Sequence, residues 1–119
     1  MASNRLVVGK TFEGVMLETC QDPEVTRPRV CPVSHFSRDI RVEFSRKLRE
    51  KYPIGTRFRA TVKVCQKHWA ETGEPKGPPY LRATGIGVIV QSIPDLGLRA
   101  KLKPDAKSDR SYYYIWDES

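Results

Sequence analysis

The sequence predicts a mainly β protein: a β-rich α+β fold built as a small curled antiparallel sheet or open barrel, OB-like or SH3-like, with at most one short helix. Three observations predict it. First, residues 57–67 alternate strictly. Phe58, Ala60, Val62 and Val64 take one parity, while Arg57, Arg59, Thr61 and Lys63 take the other, followed by Cys65 and Lys67. Successive strand side chains point to opposite faces, so this segment carries one apolar and one cationic face. Second, glycines interrupt two further apolar runs, at Gly14 and at Gly85 and Gly87, and the apolar parity changes at both. A parity change at glycine marks a bulge or bend, which a strongly curled sheet needs. Third, the chain of 119 residues is one domain, 1–119. At that size it buries roughly two-thirds of its unfolded surface and needs no metal or disulfide to fold.

The elements follow in order. Residues 5–19 form a long strand or two joined strands, with Leu6, Val8 and Phe12 on one parity and Val15 and Leu17 on the other. Residues 21–27 are polar around Pro23 and form a loop. Pro28 and Pro32 flank the next apolar run. Proline removes ladder donors, so a strand there belongs at an edge. Residues 38–51 are ambiguous. Ile40, Val42 and Phe44 alternate as a strand, yet Ile40, Phe44, Leu48 and Tyr52 also recur every four residues, with Ser37 as a candidate N-cap. We read a strand over 39–44 followed by a helix over 45–51, ending before Pro53; a single helix over 38–52 is the alternative.

Pro53 and Gly55 supply the turn into the central strand. Residues 66–79 hold Gly73, Pro75, Gly77, Pro78 and Pro79 and read as a long irregular loop. Residues 80–91 form a glycine-bent strand. Ile93, Pro94 and Asp95 make a turn. Leu96, Leu98, Ala100 and Leu102 alternate with Gly97, Arg99, Lys101 and Lys103 as another strand. After a polar loop, residues 111–116 close the chain as an aromatic strand, either in its own barrel or at an edge that recruits a second copy.

The net charge of +7 is concentrated. Between Arg38 and Lys67 lie ten Lys or Arg and three acids, a net +7, and the remainder balances at eleven each. A clustered patch creates a field that scattered charges do not, and it points to an anionic partner. No apolar stretch approaches the length of a membrane-spanning helix. The odd count of three cysteines, with no signal-peptide core, points to a reducing compartment and a cytoplasmic location.

Tyr52-Pro53-Ile54-Gly55-Thr56-Arg57-Phe58-Arg59, with Pro79-Tyr80-Leu81-Arg82 later, resembles a pattern in short uncharacterised bacterial proteins carried on mobile elements such as integron gene cassettes. The resemblance covers about a quarter of the chain, and residues 68–78 depart from that pattern's short turn. It implies a stand-alone bacterial protein, often oligomeric, and carries over no catalytic residue.

Three chemistries compete for the site. Arg41, Arg57, Arg59, Lys63 and Lys67 are candidates for phosphate contacts, with Trp69 as a stacking ring, which makes nucleic acid the first-choice partner. Alternatively, Trp69, Tyr80, Tyr112 and Tyr114 line a small-molecule pocket at a barrel mouth beneath the 66–79 loop. Cys31, His35, Cys65 and His68 have short sulfur–imidazole spacings but not those of a zinc finger, so no metal or cofactor is assigned. There is no phosphate-binding glycine loop or nucleophile motif, so no catalytic residue is assigned and the leading expectation is a non-enzymatic binding module. The weakest reading is a small enzyme using Cys65 with a histidine.

Overall fold

The computed structural model describes residues 5–21 and 28–97 together with the backbone of 112–114. The order is β1 (Thr11–Gln21), β2 (Pro28–Pro32), β3 (Val42–Glu43), α1 (Arg46–Lys51), β4 (Arg57–His68), β5 (Pro75–Ile89), a 3-10 turn (Val90–Ser92) and β6 (Tyr112–Tyr114). The strands form one sheet in the order β2-β1-β4-β5-β3, with β6 also on β5. The fold class predicted from the sequence is therefore what the chain adopts, a small β-rich fold with the short helix α1. The sheet is mixed rather than purely antiparallel, because β3 runs parallel to β5, Val42 opposite Leu81. The crossover through α1 and β4 returns the chain in that sense.

The central alternation does what its period requires. Phe58, Val62 and Val64 are fully buried and Ala60 nearly so. From β1, Val15 and Leu17 meet them, and Leu81 and Val88 do so from β5. Phe44 and Tyr52 pack edge-on against Phe58, at 4.9 and 5.7 Å between ring centroids. Burying a side chain of this size stabilises the fold by roughly 1.5–3 kcal/mol. Strand β2 sits at the sheet edge, where its two prolines forfeit no ladder bond to an outer neighbour.

Both glycine bends are irregularities in register. The β1–β4 ladder shifts between Phe12 and Val15, with Gly14 at φ +66°. The β4–β5 ladder shifts between Arg59 and Thr61, where Gly85 has φ +58°. That extra residue keeps Ala83 and Ile86 on the core side of β5 despite their odd spacing.

Residues 38–51 resolve as strand then helix, each shorter than expected. The strand keeps only Val42 and Glu43, and Ser45 rather than Ser37 caps the helix, its Oγ accepting from the Leu48 amide at 3.4 Å. The pairing of β3 with β5 extracts the strand from a helical pattern. The expected irregular loop over 66–79 is replaced by a hairpin. Strand β4 runs on to His68, β5 starts at Pro75, and the turn closes through Trp69 N–H to Glu74 O and Gly73 N–H to Trp69 O, both 2.8 Å.

Cys20 and Cys31 are joined by a disulfide, which the reading of a reducing compartment from the odd cysteine count did not anticipate. The β1–β2 register makes it: Glu18 faces Cys31 and Cys20 faces Arg29, which places the two cysteines diagonally. Among the described residues no helix is long and apolar enough to cross a membrane. The predicted loop over 22–27 and strand residues 98–103 lie outside the described residues, while Leu96 and Gly97, expected to open that strand, are helical instead. The backbone of 112–114 pairs with β5 of its own chain.

Candidate functional site

Strand β4 carries the outer face. Its core-facing residues fix the opposite parity outward, so Arg57, Arg59, Thr61, Lys63, Cys65 and Lys67 share one side of the sheet. Cross-strand partners share a face. Lys63 is partnered by Arg82, Cys65 by Tyr80 and Lys67 by Lys76 on β5. Two pairs of like charge thus stand directly opposite each other, one on each side of Cys65 and Tyr80.

Tyr80 organises this region. Its ring lies on the outer face but is only 7% exposed. Lys67 Nζ sits 5.6 Å from its centroid and the Arg41 guanidinium 5.9 Å, within cation–π range. The alternation of β4 interleaves no aromatic residue with its cations; the register of β5 supplies one. At the hairpin tip Trp69 is 52% exposed, with Lys76 Nζ 4.5 Å from its ring centroid.

The predicted cations divide into two groups. Arg57 donates to Glu18 Oε2 at 2.8 Å, and Arg38 also approaches Glu18, at 3.7 Å. Arg57 is therefore committed to a carboxylate and contributes little free field. Arg59 lies on the same face beside Gly14. No ion pair joins Arg41, Arg59, Lys63 or Lys67 to a carboxylate among the described residues. Arg82 approaches Glu43 at 3.7 Å, and that carboxylate pushes the guanidinium further above its ordinary value, with smaller contributions from Tyr80 and Cys65. Arg82 and Lys76 are absent from the sequence-derived set. Only pairing register places them beside Lys63 and Lys67, and β5 shows no alternation around Pro75, Pro78 and Pro79 that reveals it.

Of the four residues predicted to line an aromatic pocket, two have described side chains. Trp69 stands at the hairpin tip, and Tyr80 lies under two cations on the face away from the core. The side chains of Tyr112 and Tyr114 lie outside the described residues. For zinc, Cys31 is taken up by the disulfide, and no three His, Cys, Asp or Glu residues converge among the described residues. Cys65 Sγ donates to the Lys63 carbonyl at 3.6 Å, while His35 Nδ1 engages Ser34 Oγ at 2.7 Å. These bonds occupy Cys65 and His35 separately.

No family model, curated protein or solved structure matches this chain. The fold and its outer face define a small β-rich protein with a cationic sheet surface.

Proposed function

We propose that this protein is a non-enzymatic nucleic-acid-binding module that engages phosphates through the outer face of β4 and β5. Lys63 with Arg82, and Lys67 with Lys76, hold one phosphate per pair, and Arg41 adds charge beside Tyr80. One observation carries this reading: two like-charge pairs set directly opposite each other on a single face. Such pairs destabilise a sheet, and a bridging anion converts the repulsion into attraction. Arg59 extends the face, whereas Arg57 holds β4 to β1 through Glu18.

Titration of a labelled oligonucleotide at a series of salt concentrations tests it. The logarithm of the affinity falls linearly with the logarithm of salt concentration. Neutralising both members of each pair, Lys63 with Arg82 and Lys67 with Lys76, reduces the slope by about 1.4, which is ~0.7 for each phosphate of a single strand that the protein no longer neutralises. An affinity indifferent to salt, or a slope untouched by the four substitutions, overturns the proposal.

A further inference from the structure

Trp69 narrows the class of nucleic acid. Resting on the phosphate-binding reading above, we infer that the partner is single-stranded, with one base stacked on Trp69 at the tip of the β4–β5 hairpin. Its backbone runs down the ribbon over Lys67 and Lys76, then Lys63 and Arg82.

Trp69 is half-exposed, an unusual position for so large an apolar ring. Its placement is nevertheless defined. Its own amide and carbonyl close the turn with Glu74 and Gly73, and Gly73 takes φ +73°, a left-handed conformation that suits glycine. Lys76 holds its ammonium over the ring. The indole thus projects from a defined backbone position, with a cation beside it.

Charge and geometry then select the occupant. Trp69, the Lys67–Lys76 pair and the Lys63–Arg82 pair follow one another along a single ribbon. The six steps from Lys63 to Trp69 span about 20 Å at roughly 3.3 Å per step, so several anions in a row are addressed rather than one. A polyanion carrying flat rings complements that sequence of groups. A base inside a duplex is already stacked on both sides and must be extruded at a cost before it meets an indole. A single strand offers its bases without that cost, and base–aromatic stacking tolerates any sequence. Helix α1 is a six-residue segment, and its Leu48 is buried in the core. Tyr80, covered by Arg41 and Lys67, positions those cations instead of stacking.

The test uses the full chain with labelled oligothymidylate, oligouridylate and a duplex of equal length, and with heparin as a competitor. The expected result is tighter binding of either single strand than of the duplex. Trp69→Ala then weakens single-strand binding by about 5- to 150-fold, with an unchanged salt slope, because stacking releases no counterions. Trp69→Phe retains most of the affinity, which separates stacking from any damage to the hairpin. A preference for one single strand over the other supports the inference, and oligodeoxyuridylate, which differs from oligouridylate in the sugar alone, then identifies the sugar. Duplex binding as tight as single-strand binding overturns it, as does loss on neutralising Lys63 and Lys67 but none on Trp69→Ala. Equal binding of heparin with no Trp69 dependence shows a general polyanion surface and also overturns it. In those cases the phosphate-binding face itself survives. Absence of salt-sensitive binding to every probe removes that broader reading instead.

Discussion

Lys63 and Arg82 are direct cross-strand partners on the outer face of β4 and β5, two cations where a sheet stabilised for its own sake places opposite charges. Glu43, 3.7 Å from Arg82, relieves the repulsion only from the far side. A Lys63→Glu chain replaces repulsion with attraction at that position. The expected outcome is a gain of roughly 0.2–1 kcal/mol in stability by urea denaturation, together with weaker oligonucleotide binding. Opposite signs in the two measurements mark a position held for binding at the expense of stability. A drop in both contradicts the assignment.

Thr19 and Thr56 clamp the start of the central strand to β1. Both are fully buried. Thr19 Oγ1 donates to the Pro53 carbonyl at 2.9 Å and accepts from the Thr56 amide at 3.1 Å. Thr56 Oγ1 and the Thr56 amide donate to the same carbonyl at 2.8 and 3.2 Å, so Pro53 retains two donors if Thr19 is changed. Thr19→Val, nearly equal in volume, is expected to cost about 1 kcal/mol, read from the denaturation midpoint at constant m-value. A neutral result shows that the turn is held by its backbone bonds alone.

Gly14 provides the bulge that redirects β1. At φ +66°, a Cβ is strained by its own backbone, and it would approach Arg59 Nη2 to 2.8 Å. The guanidinium is the flexible end of a long chain and can yield, whereas the backbone cannot. Gly14→Ala is therefore expected to cost about 1–2 kcal/mol, most of it persisting in an Arg59→Ala background. Full recovery in that background assigns the cost to the clash instead.

The Cys20–Cys31 disulfide closes a short loop, its cysteines 11 positions apart, between β1 and the edge strand β2. By loop-closure entropy a bridge of this span is worth roughly 3 kcal/mol. The double Cys20→Ser, Cys31→Ser chain should show a correspondingly lower denaturation midpoint without reductant. Thiol titration of the unreduced parent should find one free group, Cys65. Three titratable thiols, or an unchanged midpoint, contradict the assignment.

Local pattern and local chemistry determined much of this protein. The two-residue period of residues 57–64 is a property of extended backbone, so the buried row Phe58, Ala60, Val62 and Val64 was legible without any partner strand. Gly14 and Gly85 announced their bends because the apolar parity slips beside them, and Pro28 and Pro32 excluded β2 from the sheet interior. The concentration of positive charge before Lys67 was countable. Tertiary structure alone decided which of those charges are free and what stands beside them. Glu18 takes Arg57 because β1 pairs with β4 in one particular register, and Lys63 meets Arg82 because β4 and β5 pair in another. The bond between Cys20 and Cys31, the parallel course of β3 and the ring of Tyr80 beneath Arg41 and Lys67 have the same origin. A strand's period says which face a side chain occupies, but register is set by the whole core and the turns together, and a shift of one residue exchanges every neighbour.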